Sequence, residues 1–185
     1  MAYRSLTRRD LLQRAVAASA LLGAGVGSPR VGLAGQVPLG GSSTTLALAL
    51  ARFLNRTTFS DLPPVAIQHA KMILASTLAR AAPGTRIGSS RIVRDLAKEQ
   101  GGTPEATIWF DGAKLPINEA ARVNAMLSDA AASDDSDLRN VAHIGTTLTA
   151  VGLAVAERTR ATGRDVLTAM VAGYEAAGRI GEALT

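Results

Sequence analysis

The chain has 185 residues, no cysteine, 47% hydrophobic and 3% aromatic content, and a formal charge of +5. These values describe one helix-rich globular unit and exclude a disulfide-stapled scaffold, a cysteine-ligated zinc site and a disordered polyelectrolyte. The charge is unevenly placed: residues 1–34 hold five arginines and one aspartate, and the 15 basic and 14 acidic residues of the remainder nearly cancel. No stripe of Lys and Arg with interleaved aromatics survives outside that segment, which excludes nucleic acid as a partner.

The N-terminal segment has an address-like layout. Thr7-Arg8-Arg9-Asp10-Leu11-Leu12 leads directly into the apolar run Ala15 to Val26, and Gly32-Leu33-Ala34 offers a small-residue cleavage site. The paired arginine resembles a twin-arginine export signal. The run is short and rich in Gly and Ala, so residues 1–34 are expected to be a cleavable signal peptide without stable membrane insertion, and the protein to be periplasmic or extracellular. An amphipathic N-terminal helix is the competing reading. Residues 35–44, rich in Gly, Pro and Ser, read as a linker, and a helical domain is expected over 45–185.

Thr45 to Asn55 predicts a short apolar helix. Asp61-Leu62-Pro63-Pro64 predicts the start of a longer one, with Asp61 accepting from free N–H groups and the prolines in the first turn, where no donor is missed. Ala66, Ala70, Ile73, Leu74, Thr77 and Leu78 recur on one face of it, and Pro83-Gly84 ends it. Ser89 or Ser90 is expected to cap a third helix, stopped near Gln100 by Gly101-Gly102. Ala106 to Phe110 followed by Asp111-Gly112 reads as a short strand and a tight turn, with Trp109 and Phe110 forming a local core. Pro116 opens a helix to about Ala131. Two further helices carry the apolar sets Leu148, Val151, Gly152, Val155, Ala156 and Leu167, Met170, Val171, Tyr174, Ala177, Gly178, where small residues permit close backbone approach. The fold class is all-α: a helical bundle with one short β excursion near residues 106–111.

The chemistry is concentrated between two of these helices. Ser133-Asp134-Asp135-Ser136-Asp137-Leu138-Arg139-Asn140-Val141-Ala142-His143 places three carboxylates, two hydroxyls, an arginine and an imidazole in one loop held by rigid flanks. His143 precedes a helix start at Gly145-Thr146-Thr147, where free N–H groups favour a neutral imidazole able to act as a base. The same loop can also be read as turn formers and caps, with Asp134 or Asp135 satisfying backbone donors. A hard-metal set of Asp135, Asp137 and His143 is a third reading, with unspecific spacing. His69 and Tyr174 read as structural, and Arg179 as a partner of Glu175.

Beyond these local readings, Leu46 to Leu184 resembles the N-terminal part of the MmgE/PrpD family, relatives of 2-methylcitrate dehydratase and cis-aconitate decarboxylase. The resemblance runs in order through Ala51-Arg52-Phe53, Asp61-Leu62-Pro63, Ala70-Lys71, Thr107-Ile108-Trp109, Ala120-Ala121 with Asn124, Asp134-Asp135 with His143 and Gly145, Ala154-Val155-Ala156-Glu157, and Gly173-Tyr174-Glu175 with Arg179-Ile180-Gly181. It implies a homodimeric lyase that acts on small polycarboxylate substrates by acid/base chemistry without a cofactor, here represented by the helical domain without its lid. It further implies His143 as acid or base, Ser136 as a hydrogen-bond donor to substrate, and Asp134 or Asp135 orienting the loop. Relatives often carry another carboxylate two residues before the paired aspartates, where this chain has Ala132, and a proline where it has Ile144. The chain alone is therefore expected to be inactive, and an exported, non-catalytic scaffold or dimerisation module is the alternative. The face a missing lid would cover is expected to be apolar.

Overall fold

The computed structural model describes residues 45–138 and 141–184, so the expected signal peptide and linker lie outside the described residues. The chain divides into two units, residues 1–55 and 56–185. In the first, α1 (Leu46–Arg56) is the expected apolar helix, and Thr45 Oγ1 accepts the Leu48 N–H at 3.2 Å across its first turn.

The second unit begins with a 3-10 turn, Phe59–Asp61, and α2 (Pro64–Gly84). Asp61 does not cap α2 as expected. Its carboxylate turns back to accept the N–H and hydroxyl of Thr58, at 2.8 and 2.7 Å, and those bonds hold it below its ordinary pKa. Pro63 occupies the N-cap and Pro64 the first turn of α2, so the missing N–H groups cost nothing. The helix buries Ala70, Thr77, Arg80, Ala81 and Gly84, which continues the expected face but adds an arginine to it. At its end Gly84 meets α4 closely: a Cβ there would lie 1.8 Å from the Leu127 carbonyl oxygen. Only glycine fits this crossing.

Helix α3 (Gly88–Gln100) starts one or two residues ahead of the serines expected to cap it. Ile87 holds the N-cap without a side-chain bond, and Ser90 is buried and donates to the Met126 carbonyl oxygen at 3.5 Å instead. The β excursion is a two-stranded antiparallel ribbon, β1 (Ala106–Thr107) and β2 (Lys114–Leu115), with Ala106 opposite Leu115 and Thr107 opposite Lys114. Trp109 is buried, whereas Phe110 adopts φ +62° in the turn and is 62% exposed, which corrects the expectation of a joint aromatic core. The buried Asn124 holds the turn to α4 (Ile117–Asp129): its Oδ1 accepts the Trp109 N–H and its Nδ2 donates to the Thr107 carbonyl, both at 2.9 Å.

Helices α5 (Ile144–Thr159) and α6 (Gly163–Leu184) complete the bundle. Ala81, Ala97, Ile108, Val123, Leu127, Ala150 and Ala154 form the main core, and Ala70, Val166 and Met170 a second one between α2 and α6. The buried face of α5 is rotated from the expected one. It consists of Ile144, Gly145, Thr146, Thr149, Ala150 and Ala154, while Val151 and Val155 point outward at 48% and 42% exposure. No helix among the described residues is long and apolar enough to cross a membrane. The architecture is an all-α bundle with one small antiparallel sheet.

Candidate functional site

The loop between α4 and α5 is pinned at both ends and in the middle. Ala132, at φ +48°, donates its N–H to the Asp129 carbonyl at 2.9 Å, which reverses the chain as α4 ends. Farther on, Asp137 N–H donates to the Ala142 carbonyl at 3.0 Å and Val141 N–H to the Asp137 carbonyl at 2.7 Å, closing a small antiparallel bridge. Arg139 and Asn140 lie outside the described residues.

Asp135 is the hub. Its Oδ2 accepts the Gly145 N–H from the first turn of α5 and the Tyr174 hydroxyl from α6, each at 3.0 Å, and its Oδ1 faces Arg80 Nη2 of α2 at 3.6 Å. Arg80 is nine-tenths buried, and its Nη1 donates to the Ser133 carbonyl at 2.8 Å while Nη2 donates to Thr77 Oγ1 at 3.0 Å. One carboxylate thus ties the loop to three helices and caps one of them, with an anion at a helix N-terminus. Gly145 is required by that arrangement: a Cβ would stand 2.5 Å from both Asp135 Oδ1 and Ile73 Cγ2.

His143 occupies the N-cap of α5 but makes no capping bond with its side chain. Its Nδ1 lies 2.8 Å from the Asp135 backbone carbonyl oxygen and 3.4 Å from Ser136 Oγ. A carbonyl can only accept, so Nδ1 carries the proton and, in the neutral ring, Nε2 is left with a free lone pair. The imidazole is exposed, and the backbone bond sets its tautomer and orientation.

Two further carboxyls flank it. Asp134 Oδ2 accepts the Thr146 hydroxyl at 3.0 Å. Asp129, the last residue of α4, is in side-chain hydrogen-bonding contact with Asp134, and that bond, followed by partial burial and the charge of Asp134, raises its pKa above the ordinary carboxylate value, with His143 close enough to oppose the rise. A neighbouring carboxyl in such contact favours the acid form of Asp129.

The structure therefore brings together all four residues singled out from the sequence, His143, Ser136, Asp134 and Asp135. It gives Asp135 a largely structural part, in agreement with the capping reading of the loop. Three residues of the site escaped sequence reasoning. Arg80 was visible as a charge on the apolar face of α2, three residues after Thr77; Asp129 fell inside the helix expected to run to about Ala131; Tyr174 was read as structural, without its partner. Among the described residues no group of three or more His, Asp or Glu side chains is placed to hold a metal ion.

The sequence profile of the MmgE/PrpD N-terminal domain matches residues 48–185, three quarters of the chain. The chain belongs to the MmgE/PrpD family. Neither the comparison with curated proteins nor that with solved structures gave a match. The loop of this MmgE/PrpD domain carries an imidazole and carboxyls, side chains of the kind used in acid/base chemistry.

Proposed function

We propose that this MmgE/PrpD domain contributes the acid/base loop of a lyase acting on small polycarboxylic acids without an organic cofactor. The observation that carries this reading is the Nδ1 hydrogen bond of the exposed His143 to the Asp135 carbonyl, which in the neutral ring leaves the Nε2 lone pair as the acceptor. His143 takes the proton next to a substrate carboxylate. Ser136, exposed beside the ring, donates to substrate, and Asp135 holds the loop.

Elimination from a polyanion also requires cations to grip its carboxylates. Arg80 is committed to Ser133, Thr77 and Asp135, and supplies no such grip. Residues 1–185 alone are therefore inactive in this proposal, and the anchoring groups are contributed in an assembly, with a homodimer the arrangement favoured by the outward-facing Val151 and Val155. The leader in residues 1–34 directs the protein out of the cytoplasm, and Arg8→Lys with Arg9→Lys retains it there.

The test compares protein isolated from its source with the 185-residue chain on a panel of β-hydroxy and unsaturated tricarboxylic acids, 2-methylcitrate and cis-aconitate included, following appearance or loss of the conjugated double bond by ultraviolet absorbance. His143→Gln is expected to abolish turnover of the source protein. Unchanged turnover in that variant removes the catalytic role and leaves the scaffold reading; turnover by the 185-residue chain overturns its inactivity.

A further inference from the structure

Base catalysis by His143 depends on which ring nitrogen carries the proton of the neutral imidazole, and two neighbours compete to decide it. The Asp135 carbonyl oxygen, 2.8 Å from Nδ1, can only accept and therefore selects the Nδ1–H form, in which Nε2 is the base. Ser136 Oγ, 3.4 Å from the same nitrogen, belongs to a hydroxyl and can also donate. Donation from Ser136 selects the opposite form, with the proton on Nε2 and the Nδ1 lone pair occupied by the hydroxyl. The base exists only while the carbonyl wins.

The Asp135 side chain keeps that carbonyl in place, and its two oxygens are held unequally. Among the described residues the buried Oδ1 accepts no hydrogen bond, with Arg80 Nη2 3.6 Å away. Oδ2 takes the directed bonds, from the Gly145 N–H and from the Tyr174 hydroxyl, each at 3.0 Å. The Gly145 bond comes from α5, which carries His143 at its own N-cap, so it moves with the ring; Tyr174 is fixed to a separate helix, α6. Gly173 lets that helix come near, since a Cβ there would lie 2.9 Å from Leu148 Cδ2 of α5. We propose that Tyr174 is a positioning residue that fixes the tautomer of His143 through Asp135. The inference rests on the acid/base reading above and identifies what keeps its base in the active form.

The connection runs from the Tyr174 hydroxyl to Asp135 Oδ2, through the backbone of that residue to its carbonyl oxygen, and on to His143 Nδ1. No proton passes along it. Arg80 Nε is buried without a hydrogen-bond partner, like Asp135 Oδ1. Once the tyrosine hydroxyl is gone, a turn of the carboxylate towards the guanidinium gives both charged groups a bond they otherwise forgo. That turn draws the Asp135 carbonyl from Nδ1 and leaves the ring to Ser136.

The first experiment needs no substrate. Nitrogen-15 NMR of the imidazole reads the tautomer directly, and His69→Gln assigns the signals, since the chain has 2 histidines. In mildly alkaline solution, where imidazole is neutral, His143 of the 185-residue chain is expected to show a protonated Nδ1 and a bare Nε2. Tyr174→Phe keeps the aromatic ring, removes only the hydroxyl, and is expected to move the larger share of the proton to Nε2. Ser136→Ala added to Tyr174→Phe takes away the competing donor and is expected to restore the wild-type pattern, a rescue that general loosening of the loop does not give. A wild-type chain already protonated at Nε2, an unshifted Tyr174→Phe or a double variant that stays shifted overturns the proposal. The second experiment uses source protein, where Tyr174→Phe is expected to lower kcat about tenfold with KM held within a few fold. A shifted ring with full turnover, like full turnover in His143→Gln, overturns the acid/base reading and leaves the positioning role standing. Unchanged circular dichroism establishes that the variants fold.

Discussion

Because the Asp135 carbonyl can only accept, the bond that orients His143 depends on where the backbone of Asp135 sits, and that in turn depends on the side chain of the same residue. Gly145 closes this small circuit, since its N–H is one of the Asp135 donors and its missing Cβ is what lets the carboxylate approach. Gly145→Ala drives a methyl group to 2.5 Å from Asp135 Oδ1 and Ile73 Cγ2, and neither is the loose end of a flexible chain. The expected cost is about 1–3 kcal/mol, read as a lower urea midpoint at unchanged slope, with the His143 ring resonances shifted because its acceptor has moved. A variant of wild-type stability with unshifted His143 resonances contradicts the circuit. The loop residues themselves were legible from the sequence because Asp, Ser and His in an apolar chain stand out. Arg80, Asp129 and Tyr174 were not, since each lies on a helix, distant in sequence from the groups it meets, and helical periodicity says which face a residue occupies but not what lies opposite.

At the scale of elements, the helices were legible wherever a long apolar period met a Pro or Gly stop, as in α2 and at the Gly101 end of α3. The partner strand Lys114–Leu115 was not, because two residues carry no alternation and the ribbon is set by its anchors. Asn124 is the decisive anchor. Asn124→Ala leaves the Trp109 N–H and the Thr107 carbonyl of a buried turn unbonded, and is expected to destabilise the protein by about 2–3 kcal/mol and to shift Trp109 fluorescence to the red. Two carboxyls give the elements opposite responses to pH. Burial pushes Asp111 up, but Lys98, the Ala113 N–H and Arg94 outweigh it and leave the group below its ordinary value. Its stabilising effect is therefore present above the unfolded value of 3.8 and lost as pH falls through the lower folded one. Asp129 is raised, so proton binding favours the folded loop fully below 3.8 and this contribution is lost as pH rises through the higher folded value. Hydrogen exchange is expected to show the Val141 amide losing protection, after correction for the intrinsic rate, as pH rises through the raised Asp129 value, an effect absent in Asp134→Asn. The Ala113 amide loses protection only in stronger acid, and the reverse order contradicts these assignments.

At the scale of the whole second unit, the rotation of α5 away from its expected face has a consequence for assembly. The sequence placed Val151 and Val155 inside because they continue an apolar period from Leu148. The fold instead buries the threonine and alanine side of the helix, where small side chains allow α4 and α5 to pack closely. The valines are left with Ile117, Ala121 and Ala125 along an open cleft of about 380 Å³ that Asn118, Arg122 and Thr147 also line. Leaving such a face in water forgoes roughly 25 cal/mol for every Å² that a partner would cover, a driving force that grows with any self-complementary contact. The 185-residue chain is thus expected to run as a dimer or larger species in size-exclusion chromatography with light scattering at tens of micromolar. Val151→Glu with Val155→Glu is expected to give a monomer whose unfolding midpoint is little changed, because both side chains are exposed in the single chain. A wild-type chain that elutes as a monodisperse monomer contradicts the prediction, and a double variant that still associates moves the contact to another face.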